Sequence, residues 1–195
     1  MSGLSDMMKF IELTHRLQQV RRTIFVNHEE RNENDVEHMY QLAMVSWYII
    51  EREKLPLDIP KVLRYALVHD VVEAYAGDTY FYSDDKDDKA RREHAAAERL
   101  KKEFPEFPDL HECIEAFERR EDAESKFVYA LDKVIPVVNI YMDGGRSWKR
   151  DGVTFVDVLK YKTDKVAVSQ EVKVYFDELV ERLRAEETSL FPRKA

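Results

Sequence analysis

Three helical stretches of this 195-residue chain carry ionisable side chains where a buried helix face should be apolar. The most pronounced is LRYALVHDVVEAYAGD, residues 63–78. Its apolar stripe runs through Leu63, Ala66, Leu67, Val71 and Ala74, and Asp70 falls on that same stripe. A carboxylate there is costly unless it is paired or binds a metal. His69 flanks it, and Glu73, four residues after His69, stacks on the same side of the helix. In the second stretch, His38 leads a row that continues through Leu42, Val45 and Ile49. It sits in the first turn, where the positive end of the helix dipole disfavours imidazolium and keeps a lone pair for a metal. In the third, ESKFVYALDKVIPVVNIY, Asp132 lies between Val128 and Ile135. Pro136 cannot donate to the carbonyl of residue 132, so a kink is expected at Asp132. Two neutral imidazoles and two carboxylates suit one borderline or hard divalent cation, from the set Mn, Co, Fe, Zn and Mg. Four protein ligands leave octahedral positions open for water and substrate, as catalysis requires. The plainer alternatives are a buried His–Asp hydrogen bond, a satisfied core histidine, and a capping Asp at a proline kink.

Helices must position these groups, and the composition agrees. Only 5 Gly and 6 Pro punctuate the chain, too few for the closely spaced turns of a β-sandwich or barrel. With 36% charged and 44% apolar residues it reads as an amphipathic all-α protein of about seven helices. The first covers residues 5–20, with Phe10, Leu13, Leu17 and Val20 on one face. The second opens at Asn34, with Glu37 completing a capping box, and runs to Lys54. The third starts after Asp58, tolerates Pro60 in its first turn and stops before Gly77. Others are expected at 84–103, at 108–119, from Asp122, and as one long helix over 157–186. MDGGRSWKRDG, residues 142–152, is the main irregular insert. No linker divides the chain, so residues 1–195 read as a single domain with a metal-site core over 8–140 and a helical extension over 153–187.

The net charge of −8 disfavours nucleic-acid or anionic-membrane partners. The N-terminus lacks the uninterrupted apolar run of a signal peptide, no stretch is long enough to span a membrane, and the lone Cys113 fits a reducing compartment. A cytoplasmic protein is expected. His94 and His111 lie between the His–Asp pair and Asp132 as candidates for a second metal, while His15 and His28 read as surface residues.

His38, the adjacent pair His69–Asp70, and Asp132 together resemble the H…HD…D signature of HD-domain metal-dependent phosphohydrolases. The strings EHMY at 37–40, LVHDVVEAYAGD at 67–78 and ESKFVYALDK at 124–133 are similar to the 5′-deoxynucleotidase branch, over most of residues 8–140. The resemblance implies an all-α HD-domain fold, a single divalent metal, and hydrolysis of deoxynucleoside 5′-monophosphates to nucleoside and phosphate by a water on the metal. It places His38, His69, Asp70 and Asp132 as metal ligands and Glu73 and Asp78 as the acidic catalytic residues. Arg22 takes the position of the arginine that orients the phosphate. Thr23, Asp78, Thr79, Tyr80 and Phe81 line the nucleotide.

The chemistry is coherent with those roles: Glu73 can take or relay a proton and Asp78 can protonate the departing 5′ oxygen, with the division between them open. Arg22 offers the planar bidentate fork that lysine lacks. Two departures stand out. Thr23 replaces the tryptophan with which bacterial members help exclude ribonucleotides, and TYFYSDD replaces a proline-containing turn. The competing readings are an HD phosphohydrolase or phosphodiesterase acting on another nucleotide, and a non-catalytic metal-containing helical module. Relatives of this kind are commonly homodimers. The apolar residues Val158, Val166, Val172, Val174, Phe176, Leu179, Val180 and Leu183 near the C-terminus supply a candidate interface.

Overall fold

The computed structural model describes residues 3–77 and 86–192. The chain forms two compact units, one of Met1–Arg22 with Asn34–Arg119, the other of Thr23–Glu33 with Arg120–Ala195. The described residues are predominantly helical, as expected, but in eleven helices rather than about seven, with one two-stranded sheet beside them.

The first unit contains α1 (Gly3–Gln19), α2 (Asp35–Glu53), α3 (Ile59–Val68), α4 (Glu73–Ala76), α5 (Lys86–Glu103) and α6 (Pro108–Arg119). Side chains set several of their starts. Asn34 Oδ1 accepts from the Glu37 backbone N–H at 3.0 Å while the Glu37 carboxylate accepts from the Asn34 N–H at 3.0 Å, so the anticipated capping box opens α2. Asp58 accepts from the Lys61 N–H at 3.0 Å to open α3. Leu13, Leu17, Met39, Val68, Val71, Val72, Ala96, Leu100, Phe104, Leu110 and Ile114 form the core of this unit.

The expected third helix does not continue to Gly77. After the His69 N–H bonds the Tyr65 carbonyl, the ladder tightens from four-residue to three-residue spacing. Val71 bonds Val68, Glu73 bonds Asp70, Ala74 bonds Val71, and Tyr75 bonds Val72. A tighter turn advances each residue by about 120° rather than 100°, so the phase of the expected stripe shifts beyond His69. Ala66 and Val71 of that stripe are buried, together with Val62, Tyr65 and Val72, whereas Leu67 is 53% exposed.

The second unit holds most of a hairpin of β1 (Arg21–Phe25) and β2 (Asn32–Asn34), absent from the sequence-based expectation, followed by α7 (Ala123–Met142), α8 (Arg146–Asp151), α9 (Phe155–Val166), α10 (Gln170–Ala185) and α11 (Glu187–Leu190). α7 opens on Asp122, which caps the Ser125 N–H at 2.7 Å, and contains Pro136. The stretch read as an irregular insert is helix α8. Gly145 before it has φ +77°, and a Cβ there would lie 2.0 Å from the Leu190 carbonyl oxygen, so only glycine fits. α8 clasps the hairpin: Ser147 Oγ accepts from the Phe25 N–H at 3.1 Å, and Arg146 and Arg150 lie over the Phe25 ring.

The expected long C-terminal helix is divided between α9 and α10. Val158, Val166, Val172, Phe176, Leu179 and Leu183 are buried inside this unit, leaving Val174 exposed and Val180 half-buried. The apolar surface proposed for dimerisation there is therefore spent on the unit's own core. Among the described residues no helix is long and apolar enough to cross a membrane.

Candidate metal centre

α2 delivers His38 one turn past its capped start, fully buried. The end of α3 delivers His69, and the tightened turn after it delivers Asp70. The ring centroids of His38 and His69 are 5.3 Å apart, and one ligand atom each from His38, His69 and Asp70 lie within 4.8 Å of one another. His69 Nδ1 is 3.0 Å from the Ala66 carbonyl. A carbonyl only accepts, so Nδ1 carries the hydrogen and Nε2 of the neutral ring presents its lone pair. Nε2 faces Asp70 Oδ2 at 3.0 Å. A proton on Nε2 or a cation between the two atoms satisfies that contact. The set of two imidazoles and a carboxylate, with one ring oriented by a backbone carbonyl, fits a divalent cation with open coordination positions.

Glu73, the first residue of α4, is buried, and its carboxylate clusters with those of Asp70 and Asp35 within 4.8 Å. Residues three apart eclipse in a tightened turn, which sets Glu73 beside Asp70. Sequence spacing had paired Glu73 with His69 through ideal α-helical geometry, so the residue was found for a different reason. Arg22 reaches this cluster from the start of β1. Its Nη1 donates to Asp70 Oδ2 at 2.8 Å and lies 3.6 Å from Asp35 Oδ1. Sequence reasoning missed Asp35. An acidic residue in a first helical turn is the ordinary partner of the dipole, and only its complete burial reveals more.

Tyr75 of α4 donates to the Glu103 carboxylate of α5 at 2.5 Å, and Arg99 stacks 3.9 Å above its ring. Burial, reinforced by the Glu103 bond, pushes the Tyr75 phenol up to about 12. The Tyr75 bond in turn, with Arg99, holds the Glu103 carboxyl below its usual range. This network secures the short α4 that bears Glu73.

Asp132 belongs to the second unit, where it is buried on α7 and ion-paired with Lys133. Thr23 is half-buried in that unit, and its carbonyl accepts from Arg150. Asp78, Thr79, Tyr80 and Phe81 lie outside the described residues. His111 Nε2 bonds the Phe104 carbonyl at 2.8 Å and His94 is exposed. Neither joins a cluster of three metal-ligating side chains among the described residues.

The family described as HD domain matches residues 14–173. Human 5′-deoxynucleotidase HDDC2 is 33% identical over 135 residues, covering 67% of this chain and 65% of the human protein. This chain thus spans just under two thirds of that relative's length. The 5′-deoxynucleotidase YGK1 of Saccharomyces cerevisiae is 26% identical over 192 residues, 88% of this chain and 86% of that protein. A crystal structure of a predicted metal-dependent phosphohydrolase from Magnetospirillum magnetotacticum superposes with TM-score 0.82 at 30% identity, covering 97% of this chain and 98% of that one.

Proposed function

This chain belongs to the HD domain family, and we propose that it is a metal-dependent phosphomonoesterase hydrolysing deoxynucleoside and nucleoside 5′-monophosphates to nucleoside and phosphate. The observation that carries this reading is the pairing of His38, His69 and Asp70 with an arginine guanidinium 2.8 Å from the Asp70 carboxylate. A cation site edged by a guanidinium is suited to bind and polarise a phosphoryl group. The names of the human and yeast relatives support the nucleotide class.

One cation, drawn from Mn, Co, Fe, Zn and Mg, would be held by His38, His69 and Asp70, with Asp132 as the fourth ligand. When bound, it supplies Lewis acidity that brings the pKa of a water towards neutrality. The chain's own residues do the remaining work. Arg22 holds the phosphoryl oxygens and offsets their charge. Glu73 and Asp78 share the proton transfers, one from the attacking water and one to the departing 5′ oxygen. Thr23, Thr79, Tyr80 and Phe81 line the nucleoside.

Residues 1–195 act as one HD domain, a reading supported by the family match, which draws on both units. A cytoplasmic homodimer is its proposed form. Exposed Met7, Met8 and Ile11 of α1 and Tyr40, Trp47 and Tyr48 of α2 offer the apolar surface for a two-fold contact. Light scattering should give a mass near twice 23.1 kDa.

The deciding experiment is phosphate release from the manganese-loaded protein across deoxy- and ribonucleoside 5′-monophosphates. Turnover that disappears with chelator is expected. Release only from cyclic or polyphosphorylated nucleotides, or from none, would overturn the assignment.

A further inference from the structure

We propose that Asp35 is a positioning residue that holds the Arg22 guanidinium in place for phosphate, an inference that rests on the phosphomonoesterase reading. Asp70 Oδ2 is shared: it lies 2.8 Å from Arg22 Nη1 and 3.0 Å from His69 Nε2. A cation held by His69 and Asp70 would draw on the Asp70 carboxylate that Arg22 bonds, and so would weaken the Arg22–Asp70 bond. An arginine anchored by Asp70 alone would then lose its orientation when phosphate needs it.

Asp35 supplies the second anchor. Its Oδ1 is 3.6 Å from the same Nη1, and the side chain is 0% exposed, so its charge acts in a low dielectric and is little screened by salt. The Asp35 backbone N–H donates to the Val20 carbonyl at 3.4 Å, tying the start of α2 to the chain entering β1, where Arg22 sits. Neither end of the ion pair can drift far from the other. A guanidinium carries its five N–H donors in one rigid plane, so fixing Nη1 fixes the direction of the rest. In this role Asp35 acts through Arg22.

The test is calorimetric titration of the manganese-loaded protein with inorganic phosphate, alongside kinetics with a deoxynucleoside monophosphate. Asp35→Asn keeps the shape and removes the charge. It should weaken phosphate binding and raise KM about tenfold, a modest share of the attraction of a close charge pair, with kcat and manganese content less affected. In an Arg22→Met background, Asp35→Asn should change neither quantity further. Wild-type phosphate affinity in Asp35→Asn, or an undiminished tenfold loss on top of Arg22→Met, overturns the proposal. If Asp35→Asn does not fold, Asp35→Glu takes its place: it displaces the guanidinium by one methylene, and wild-type phosphate affinity there is equally fatal. Phosphate binding is read without turnover. A wild-type protein that binds phosphate but hydrolyses no nucleotide would overturn the activity and leave the role of Asp35 still decided by the titration.

Discussion

Replacing Arg22 with methionine should destabilise the metal-free protein and sharpen its response to added cation. Arg22 Nη1 stands 2.8 Å from Asp70 and 3.6 Å from Asp35, with side-chain exposures of 16%, 15% and 0% respectively. At an effective dielectric constant of about 20, those separations correspond to about 6 and about 5 kcal/mol of gross attraction. Desolvation offsets most of it, and deletion of one partner from a buried pair costs about 3–5 kcal/mol. The residual exposure places Arg22→Met near the lower end, about 3 kcal/mol. In a chain of this length that is a fall in Tm of about 6–12 °C. A divalent cation would restore positive charge to the same carboxylates and no longer compete with the guanidinium for Asp70. Thermal scans in chelator and across a manganese titration should therefore show a larger rise for Arg22→Met than for wild type. A saturating cation at 100 times its Kd adds about 2.7 kcal/mol, and each further tenfold gain in affinity adds about 1.4 kcal/mol. A drop in Tm under about 2 °C, or equal rises in the two proteins, would refute the reasoning.

Asp132→Ala should lose bound metal and activity together, measured by metal analysis of the purified variant; full metal content would remove Asp132 from the ligand set. Glu73→Gln should retain metal yet lower kcat about 10²–10⁴-fold, as for a proton-transfer group, and loss of metal instead would make Glu73 a ligand. Tyr75→Phe should remove from the ultraviolet alkaline titration a phenol that ionises near 12 rather than 10.0. Because the folded-state value is raised, this phenol's stabilising contribution is complete below pH 10 and lost as pH climbs towards 12. Difference spectra stepping near pH 10 would contradict the Glu103 contact.

What could be read from the sequence was governed by local chemistry. The starts of α2, α3 and α7 were legible because Asn34, Asp58 and Asp122 satisfy backbone N–H groups within three residues of themselves. The hairpin was not: strands of five and three residues flanking a polar turn carry no periodicity to detect. Nor was the break between α9 and α10, since the residues between them, Ala167, Val168 and Ser169, include neither Gly nor Pro. His38, His69 and Asp70 stood out because each is expensive to bury, whatever the exact helix phase. The tightened turn at 69–72 escaped because three-residue bonding there is set by packing against the core, and it is this turn that aligns Asp70 with Glu73.

The same turn bears on how an acidic protein can receive a dianion. The chain carries a net charge of −8, and the carboxylates of Asp35, Asp70 and Glu73 crowd together around the guanidinium of Arg22. With neutral imidazoles, that cluster holds a formal charge of −2, which would repel a phosphomonoester. A monovalent ion leaves half of the excess in place, whereas one divalent cation cancels it. Asp132 adds no net charge to its own surroundings because Lys133 pairs with it. Cation binding thus becomes a precondition for phosphate binding through charge as well as through ligation. The order of addition follows from it: phosphate affinity measured without divalent cation should be negligible, and it should appear in step with manganese occupancy. Phosphate bound equally well in chelator would mean that Arg22 reads the anion away from this cluster.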